Sequence, residues 1–284
     1  MYWIKRIPEI REVISEWTKD GATIGLVPTM GYFHEGHLAL MEKARQENDY
    51  VVVSLFVNPI QFGPNEDFQR YPRDEERDRE LAEKAGVDLV FNPTAEEMYG
   101  QGFQSYVEVT EISQGLCGAS RPGHFRGVTT VITKLFNIVQ PDRAYFGEKD
   151  AQQLRVIQRM VRDLNFPVEI KPVPTVREAD GLAKSSRNTY LSPEERKAAL
   201  VLSKSLFYAK EQVAAGEDSV QRLSASMKRM ITGEPLVSLE YLEFRESATL
   251  RPVSTITGEV LIALAARVGK TRLIDNITVR PGRR

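Results

Sequence analysis

The stretch Tyr50-Val51-Val52-Val53-Ser54-Leu55-Phe56-Val57 constrains the fold more than any other part of the chain. A strand that is apolar at successive positions, rather than at alternate ones, buries both of its faces. That is the condition of a central strand in a parallel sheet covered by helices on each side. Asn58-Pro59 stops it sharply, with Gln61 a few residues beyond. The flanking segments alternate in type. Residues 7–20 carry Ile10, Val13, Ile14 and Trp17 at helical spacing. Residues 22–27 read as a buried strand, and the helix after them runs to about residue 48. Residues 74–85 form a charge-rich helix whose ionic side chains read as a solvated face. Strands are predicted over 87–91, 105–110, 143–146 and 168–173, and helices over 127–139 and 150–164. This order predicts an α/β fold: a Rossmann-like parallel sheet with crossover helices. Ligands of such sheets bind beyond the carboxyl ends of the strands.

After Pro174 the pattern changes. Ser192-Pro193-Glu194-Glu195 is a helix start, with Ser192 as N-cap and proline at the first position. One helix is expected to about residue 212 and a second over 219–232, followed by strands over 238–244, 260–268 and 272–278. The expectation is therefore two domains: 1–175, Rossmann-like, and 176–284, a smaller α+β domain closing over the site.

With 284 residues, 42% hydrophobic, 27% charged and a net charge of −1, the chain has the composition of a globular protein. Nothing in that balance suggests nucleic acid or an anionic membrane as partner. The single cysteine, Cys117, excludes an intrachain disulfide and fits a reducing cytosol. Between Gly115 and Gly118 it reads as a small loop residue rather than a nucleophile. The first residues lack the apolar core of a signal peptide, and no stretch has the apolar length of a membrane span. A cytoplasmic location is expected.

Two features at the predicted carboxyl end of the sheet carry chemistry. The chain has 3 histidines, and two of them stand in His34-Glu35-Gly36-His37. Imidazoles three residues apart on the first turn of a helix share a face. The same turn offers free backbone N–H groups and the positive end of the helix dipole. Gly31 and Gly36 allow a ligand to approach the backbone. This is a site for a polyanion such as a nucleoside triphosphate. The same spacing also serves a metal ion, or merely a surface. The second feature is Arg177-Glu178-Ala179-Asp180-Gly181-Leu182-Ala183-Lys184-Ser185-Ser186-Arg187-Asn188. Its hydroxyls and cations are what phosphate oxygens need. As a domain junction it is either a solvated linker or a mobile clamp.

His34-Glu35-Gly36-His37 is a His-x-Gly-His element, and Lys184-Ser185-Ser186-Arg187 resembles the Lys-Met-Ser-Lys-Ser type loop of the nucleotidyltransferase superfamily. Five further blocks, in order, are similar to the pantoate–β-alanine ligase family. They are Pro28-Thr29-Met30-Gly31, Phe56-Val57-Asn58-Pro59-Ile60-Gln61-Phe62-Gly63, Arg121-Pro122-Gly123-His124-Phe125-Arg126-Gly127, Tyr145-Phe146-Gly147-Glu148-Lys149-Asp150 and Asp180-Gly181-Leu182-Ala183. The resemblance spans the first strand to about Glu195; the last ninety or so residues carry no comparable motif.

The resemblance implies ATP-dependent condensation of pantoate with β-alanine through pantoyl adenylate, releasing AMP and pyrophosphate, with ATP as substrate and Mg²⁺ as cofactor. It implies that Met30, Gly31, Tyr32, Phe33, His34, Glu35, Gly36 and His37 line the ATP site. Gly147, Glu148, Lys149, Asp150, Val176, Lys184, Ser185, Ser186 and Arg187 would join them. His37, His34 and Lys149 would be catalytic, with His37 as proton donor, and Gln61 and Gln153 would hold pantoate or β-alanine. A polyanion nearby would favour the cationic imidazole. No metal ligand is assigned. A homodimer through the nucleotide domain is implied, with 106–111 as a possible edge strand. The chain departs from the family at Lys184, where methionine is common, and at Tyr32-Phe33, which replaces a smaller pair. His124 and Arg126 form a basic loop, either lid or structural cap. The alternatives are a nucleotidyltransferase with another small acceptor and a nucleotide-binding module without turnover. A tRNA synthetase fits poorly, because the chain is short and nearly neutral.

Overall fold

In the computed structural model, which describes residues 1–19 and 21–282, the chain opens with β1 (Tyr2–Ile4) and α1 (Ile7–Thr18). There follow β2 (Ile24–Thr29), α2 (Glu35–Glu47), β3 (Tyr50–Leu55), α3 (Glu75–Lys84), β4 (Leu89–Phe91), α4 (Ala95–Met98) and α5 (Leu116–Ser120). Then come α6 (His124–Val139), β5 (Arg143–Gly147), α7 (Ala151–Asp163) and β6 (Glu169–Val173). The strands form one parallel sheet of order β1-β4-β3-β2-β5-β6. Asp20, at the end of the first predicted helix, lies outside the described residues.

The uninterrupted apolar run of β3 is explained by its position. Val52 packs with Leu26, Ala144 and the apolar faces of α1, α6 and α7, including Ile10, Val128 and Ile157. Val51 and Val53, pointing the other way, pack with Val27, Tyr145 and the faces of α2 and α3 through Met41, Ala44 and Ala82. Burying an aliphatic side chain of this size contributes about 1.5–3 kcal/mol over leaving it exposed. Both faces of β3 draw on that term. β2 has β3 on one side and β5 on the other. The strand order therefore reverses at β2, and a crevice opens at the carboxyl ends of β2 and β5.

The rest of the chain builds α8 (Pro193–Ala198), α9 (Leu200–Ala214), α10 (Val220–Thr232), β7 (Val237–Glu246), β8 (Val260–Val268) and β9 (Thr271–Val279). The three strands are antiparallel in the order β7-β8-β9. Leu202 and Leu206 of α9 and Leu223 and Met227 of α10 pack with Ile262 and Leu264 of the sheet. Ser192 is the expected N-cap with Pro193 at the first position, and Glu195 closes a capping box with it. Among the described residues, no helix is long and apolar enough to cross a membrane.

Two expectations are corrected. Residues 105–110 are not a strand. Their alternation is real, since Val107 and Val109 pack on the first core. Their backbone partners, however, are side chains of α6: Val107 N–H donates to Thr130 Oγ1 at 3.0 Å, and Thr129 Oγ1 donates to Val107 O at 2.6 Å. Nor does a single helix run from 193 to 212. It breaks at Ala199 into α8 and α9. The edge strand β1, and the short α4 and α5, have no counterpart in the sequence reading.

Candidate active site

The crevice holds the His-x-Gly-His element because the loop after β2 is clamped from behind. Tyr32 has φ +54°, in the left-handed region, so its N–H and that of Phe33 converge. Both donate to the carboxylate of Asp78, at 2.6 and 2.7 Å. Asp78 is buried on α3. Burial raises its pKa, and the two N–H groups pull against that rise. The clamp delivers His34 to the N-cap of α2.

The histidine tautomers follow from local bonding. His34 Nδ1 accepts from Gly36 N–H at 3.1 Å, and His37 Nδ1 accepts from His34 N–H at 3.3 Å. Each ring is therefore neutral and carries its proton on Nε2. The two rings lie 4.1 Å apart, centroid to centroid. Burial, and then the Lys149 ammonium, lower the His34 pKa to about 4. Burial holds His37 well below the imidazole range, with His34 and Lys149 adding to the effect. The cationic imidazole expected beside a polyanion is thus not the form of the free protein.

Gln61 lies in a 3-10 turn, Pro59–Gln61, pressed against α6. A Cβ at Gly127 would stand 2.4 Å from Ile60 O and 2.6 Å from Gln61 Cα, so only glycine allows this approach. Gln61 Oε1 accepts from Asn58 Nδ2 at 2.9 Å, and Asn58 Oδ1 accepts from Tyr99 OH at 2.8 Å. The Gln61 amide is thereby oriented with Nε2 toward the Met30 sulfur, at 3.2 Å. His124 Nδ1–H donates to Gln61 O at 2.9 Å, and its Nε2 accepts from Arg121 at 2.9 Å. Arg121 is in turn held by Glu66 at 2.8 Å. His124 is a structural cap that fixes Gln61, not a lid.

The other wall comes from β5 and the junction. Asn276 of β9 donates to the carbonyls of Glu148 and Lys149, at 3.0 and 2.7 Å. Its neighbour Asp275, buried, is bound by both arms of Arg177 at 2.7 and 2.9 Å. Lys184 N–H donates to Val176 O at 2.9 Å, and Ser186 Oγ donates to Tyr32 O at 3.3 Å. Arg187 grips Asp67 through two 2.9 Å bonds.

Together these walls enclose a cavity of about 210 Å³. Met30, His34, Gly36, His37, Gln61, Gly147, Lys149, Asp150, Gln153, Val176, Lys184, Ser185, Ser186 and Arg187 all line it. The aliphatic side chains of Leu40, Val128, Val131, Ile132 and Leu135 form its apolar floor. A second cavity of about 250 Å³ adjoins it, sharing Lys149, Asp150, Gln153, Ser185 and Arg187. Jointly they match the size of small-molecule sites, roughly 300–1,000 Å³.

Five anticipated residues do not line the first cavity. Phe33 is fully buried in the core. Gly31 and Tyr32 face a separate cleft beside Asp78. Glu35 points outward and pairs with Lys184 at 3.1 Å. Glu148 offers its carbonyl to Asn276. Cys117 is buried with its sulfur 3.1 Å from the Tyr241 hydroxyl.

Sequence reasoning missed Asp78, Asn58 and Asn276. Asp78 had a signal, since it stands one turn before Leu81 and Ala82 on the inner face of α3. Asn58 reads in the sequence only as a strand stop. Among the described residues, no group of three or more His, Cys, Asp or Glu side chains is arranged to hold a metal ion. The carboxylates nearest the cavity are engaged. Glu66 is taken by Arg121, Asp67 by Arg187, and Asp150 lies 3.8 Å from Lys149.

The model of the family described as pantoate-beta-alanine ligase matches residues 2–278. The pantothenate synthetase of Heliobacterium modesticaldum is 59% identical over 279 residues, covering 97% of this chain and 99% of that protein. That of Moorella thermoacetica is 58% identical over 279 residues, covering 98% and 99%. The crystal structure of the Thermus thermophilus pantothenate synthetase superposes with a TM-score of 0.94 at 50% identity, covering 99% of this chain and 100% of that one. The Francisella tularensis pantoate-beta-alanine ligase, solved with beta-gamma ATP and beta-alanine, superposes with a TM-score of 0.81 at 34% identity, covering 98% and 97%.

Proposed function

The chain belongs to the pantoate–β-alanine ligase family and forms pantothenate from pantoate and β-alanine with ATP; from that premise we propose how its cavity does so. A carboxylate is a poor electrophile because it would have to expel oxide. Attack of a pantoate carboxylate oxygen on the α-phosphorus of ATP breaks the bond to the bridging oxygen and releases pyrophosphate. The acyl group then carries AMP as a good leaving group. The β-alanine amine attacks the acyl carbon, loses a proton, and displaces AMP to form the amide.

Neither step needs a protein nucleophile. Both need positioning, charge stabilisation and exclusion of water. The Nε2–H groups of His34 and His37 are neutral donors to phosphate oxygens as charge builds on the departing pyrophosphate. The first turn of α2 adds the positive end of the helix dipole rather than free donors, since Gly36 N–H is taken by His34 Nδ1 and His37 N–H by His34 O. Lys149, Lys184, Ser185, Ser186 and Arg187 complete the phosphate enclosure. Gln61 Nε2, which faces only a thioether, donates to a pantoate oxygen, and Gln153 binds the same substrate. The aliphatic floor covers its dimethyl carbon. The observation that carries this reading is that His34, His37, Gln61, Gln153 and residues 184–187 line one cavity.

Magnesium would come with ATP as MgATP and would neutralise phosphate charge there; among the described residues no group of three or more His, Cys, Asp or Glu is arranged to hold it. Residues 1–175 act as the nucleotide domain and 176–284 as the smaller domain closing over it. The protein works as a cytoplasmic homodimer, a state that sedimentation at equilibrium reads directly. The mechanism predicts pantoate-dependent exchange of labelled pyrophosphate into ATP with no β-alanine present. If exchange required β-alanine, a free adenylate would be excluded.

A further inference from the structure

Lys184 and Glu35 face each other across the mouth of the cavity, their charged atoms 3.1 Å apart. Lys184 sits at the base of a tight hairpin. Its N–H is bonded to Val176 O at 2.9 Å, and Arg177 and Ala183 form a bridge beside it. Its backbone is therefore fixed while its four-carbon stem can swing. Its side chain lines the cavity and is 23% exposed, whereas that of Glu35 is 62% exposed.

The other cation of the segment is held differently. Arg187 is gripped by Asp67 through two bonds, with both side chains largely covered. Breaking that fork would strand a half-buried charge. Breaking the Lys184–Glu35 pair strands nothing. Glu35 stays in water on the first turn of α2, where the helix dipole favours a carboxylate. An ammonium gains more from a polyphosphate than from one exposed carboxylate.

We propose that Lys184 is an exchangeable phosphate ligand: Glu35 holds it while the cavity is free of nucleotide, and the triphosphate takes it on binding. Glu35 is thus a built-in competitor that weakens nucleotide binding. The inference rests on the nucleotide reading of the cavity and adds a regulation of affinity to it.

The test is equilibrium binding of MgATP, without pantoate, to the parent, Glu35→Gln, Lys184→Met and the double variant, together with a crystal structure of the parent with MgATP. Exchange predicts that Glu35→Gln tightens binding by about two- to five-fold, the worth of an exposed pair. That gain shrinks or vanishes in the Lys184→Met background. The structure then has the Lys184 ammonium within hydrogen-bond reach of a phosphate oxygen and clear of Glu35. Equal effects of Glu35→Gln in both backgrounds, or an intact ion pair in the complex, would overturn the exchange. Failure of the parent to bind MgATP would instead remove the nucleotide reading itself.

Discussion

At the scale of the residue, the site depends on groups that never touch a substrate. Asp78 is the clearest. Its two carboxylate oxygens satisfy two convergent N–H groups behind the loop that carries His34. Asp78→Asn leaves one acceptor for two donors and turns an amide N–H₂ toward the other. An unsatisfied buried donor costs about 1–3 kcal/mol. The expected result is a tenfold or greater rise in the MgATP dissociation constant, roughly 1.4 kcal/mol, with the fold intact by circular dichroism. Unchanged binding would show that the clamp does not set the loop. His34 and His37 are legible in the sequence because they are rare and adjacent. Asp78 is harder to read: its spacing to Leu81 and Ala82 points it inward, but the exposed Asp74, Glu75 and Glu76 around it mask that signal.

At the scale of the element, the contact between α6 and the 3-10 turn Pro59–Gln61 decides where the second substrate sits. Gly127→Ala forces a Cβ into Ile60 O and Gln61 Cα. The turn and Gln61 must then move. The expected outcome is a rise of about tenfold or more in the pantoate KM, as a displaced hydrogen-bonding group loses about 1.4 kcal/mol, while MgATP affinity stays near the parent value. Equal loss of both would mean that the whole crevice is distorted. The central strand and β8 are readable because their apolar runs, 51–55 and 260–266, are buried without a break. Residues 105–110 mislead for a physical reason: alternation reports which side chains are inside, not what the backbone bonds to. Thr129 and Thr130 supply those bonds. The break between α8 and α9 is also invisible, since Lys197-Ala198-Ala199-Leu200 contains no residue that disfavours a helix.

At the scale of the whole molecule, all 3 histidines are held as neutral bases in the fold. Burial lowers His34 and His124 to about 4, from an ordinary 6.5, and holds His37 well below that ordinary value. The unfolded chain therefore binds more protons than the native one as the pH drops below about 6.5. Their contribution is complete above 6.5 and is lost as the pH falls toward about 4. Glu66, which burial would raise but Arg121 holds at about 2, adds stability above 4.5 that is lost only in stronger acid. Urea unfolding should thus show a steep loss of stability between pH 6.5 and 4.5, with net proton uptake on unfolding. Superimposable curves at pH 7 and pH 5 would contradict this assignment of neutral histidines. What composition and periodicity could not supply is the meeting of residues 34–37 with 184–187. That encounter depends on β9 carrying Asp275 and Asn276 against Arg177 and the Glu148–Asp150 turn. Only the family resemblance anticipates it.

One chemical claim underlies the rest: this cavity activates the pantoate carboxylate at the α-phosphorus of ATP. Pantoate labelled with ¹⁸O in its carboxylate, turned over with β-alanine and MgATP, tests it most directly. The predicted result is one ¹⁸O atom in each AMP formed and none in pyrophosphate. Unlabelled AMP, or label appearing in pyrophosphate, would contradict it.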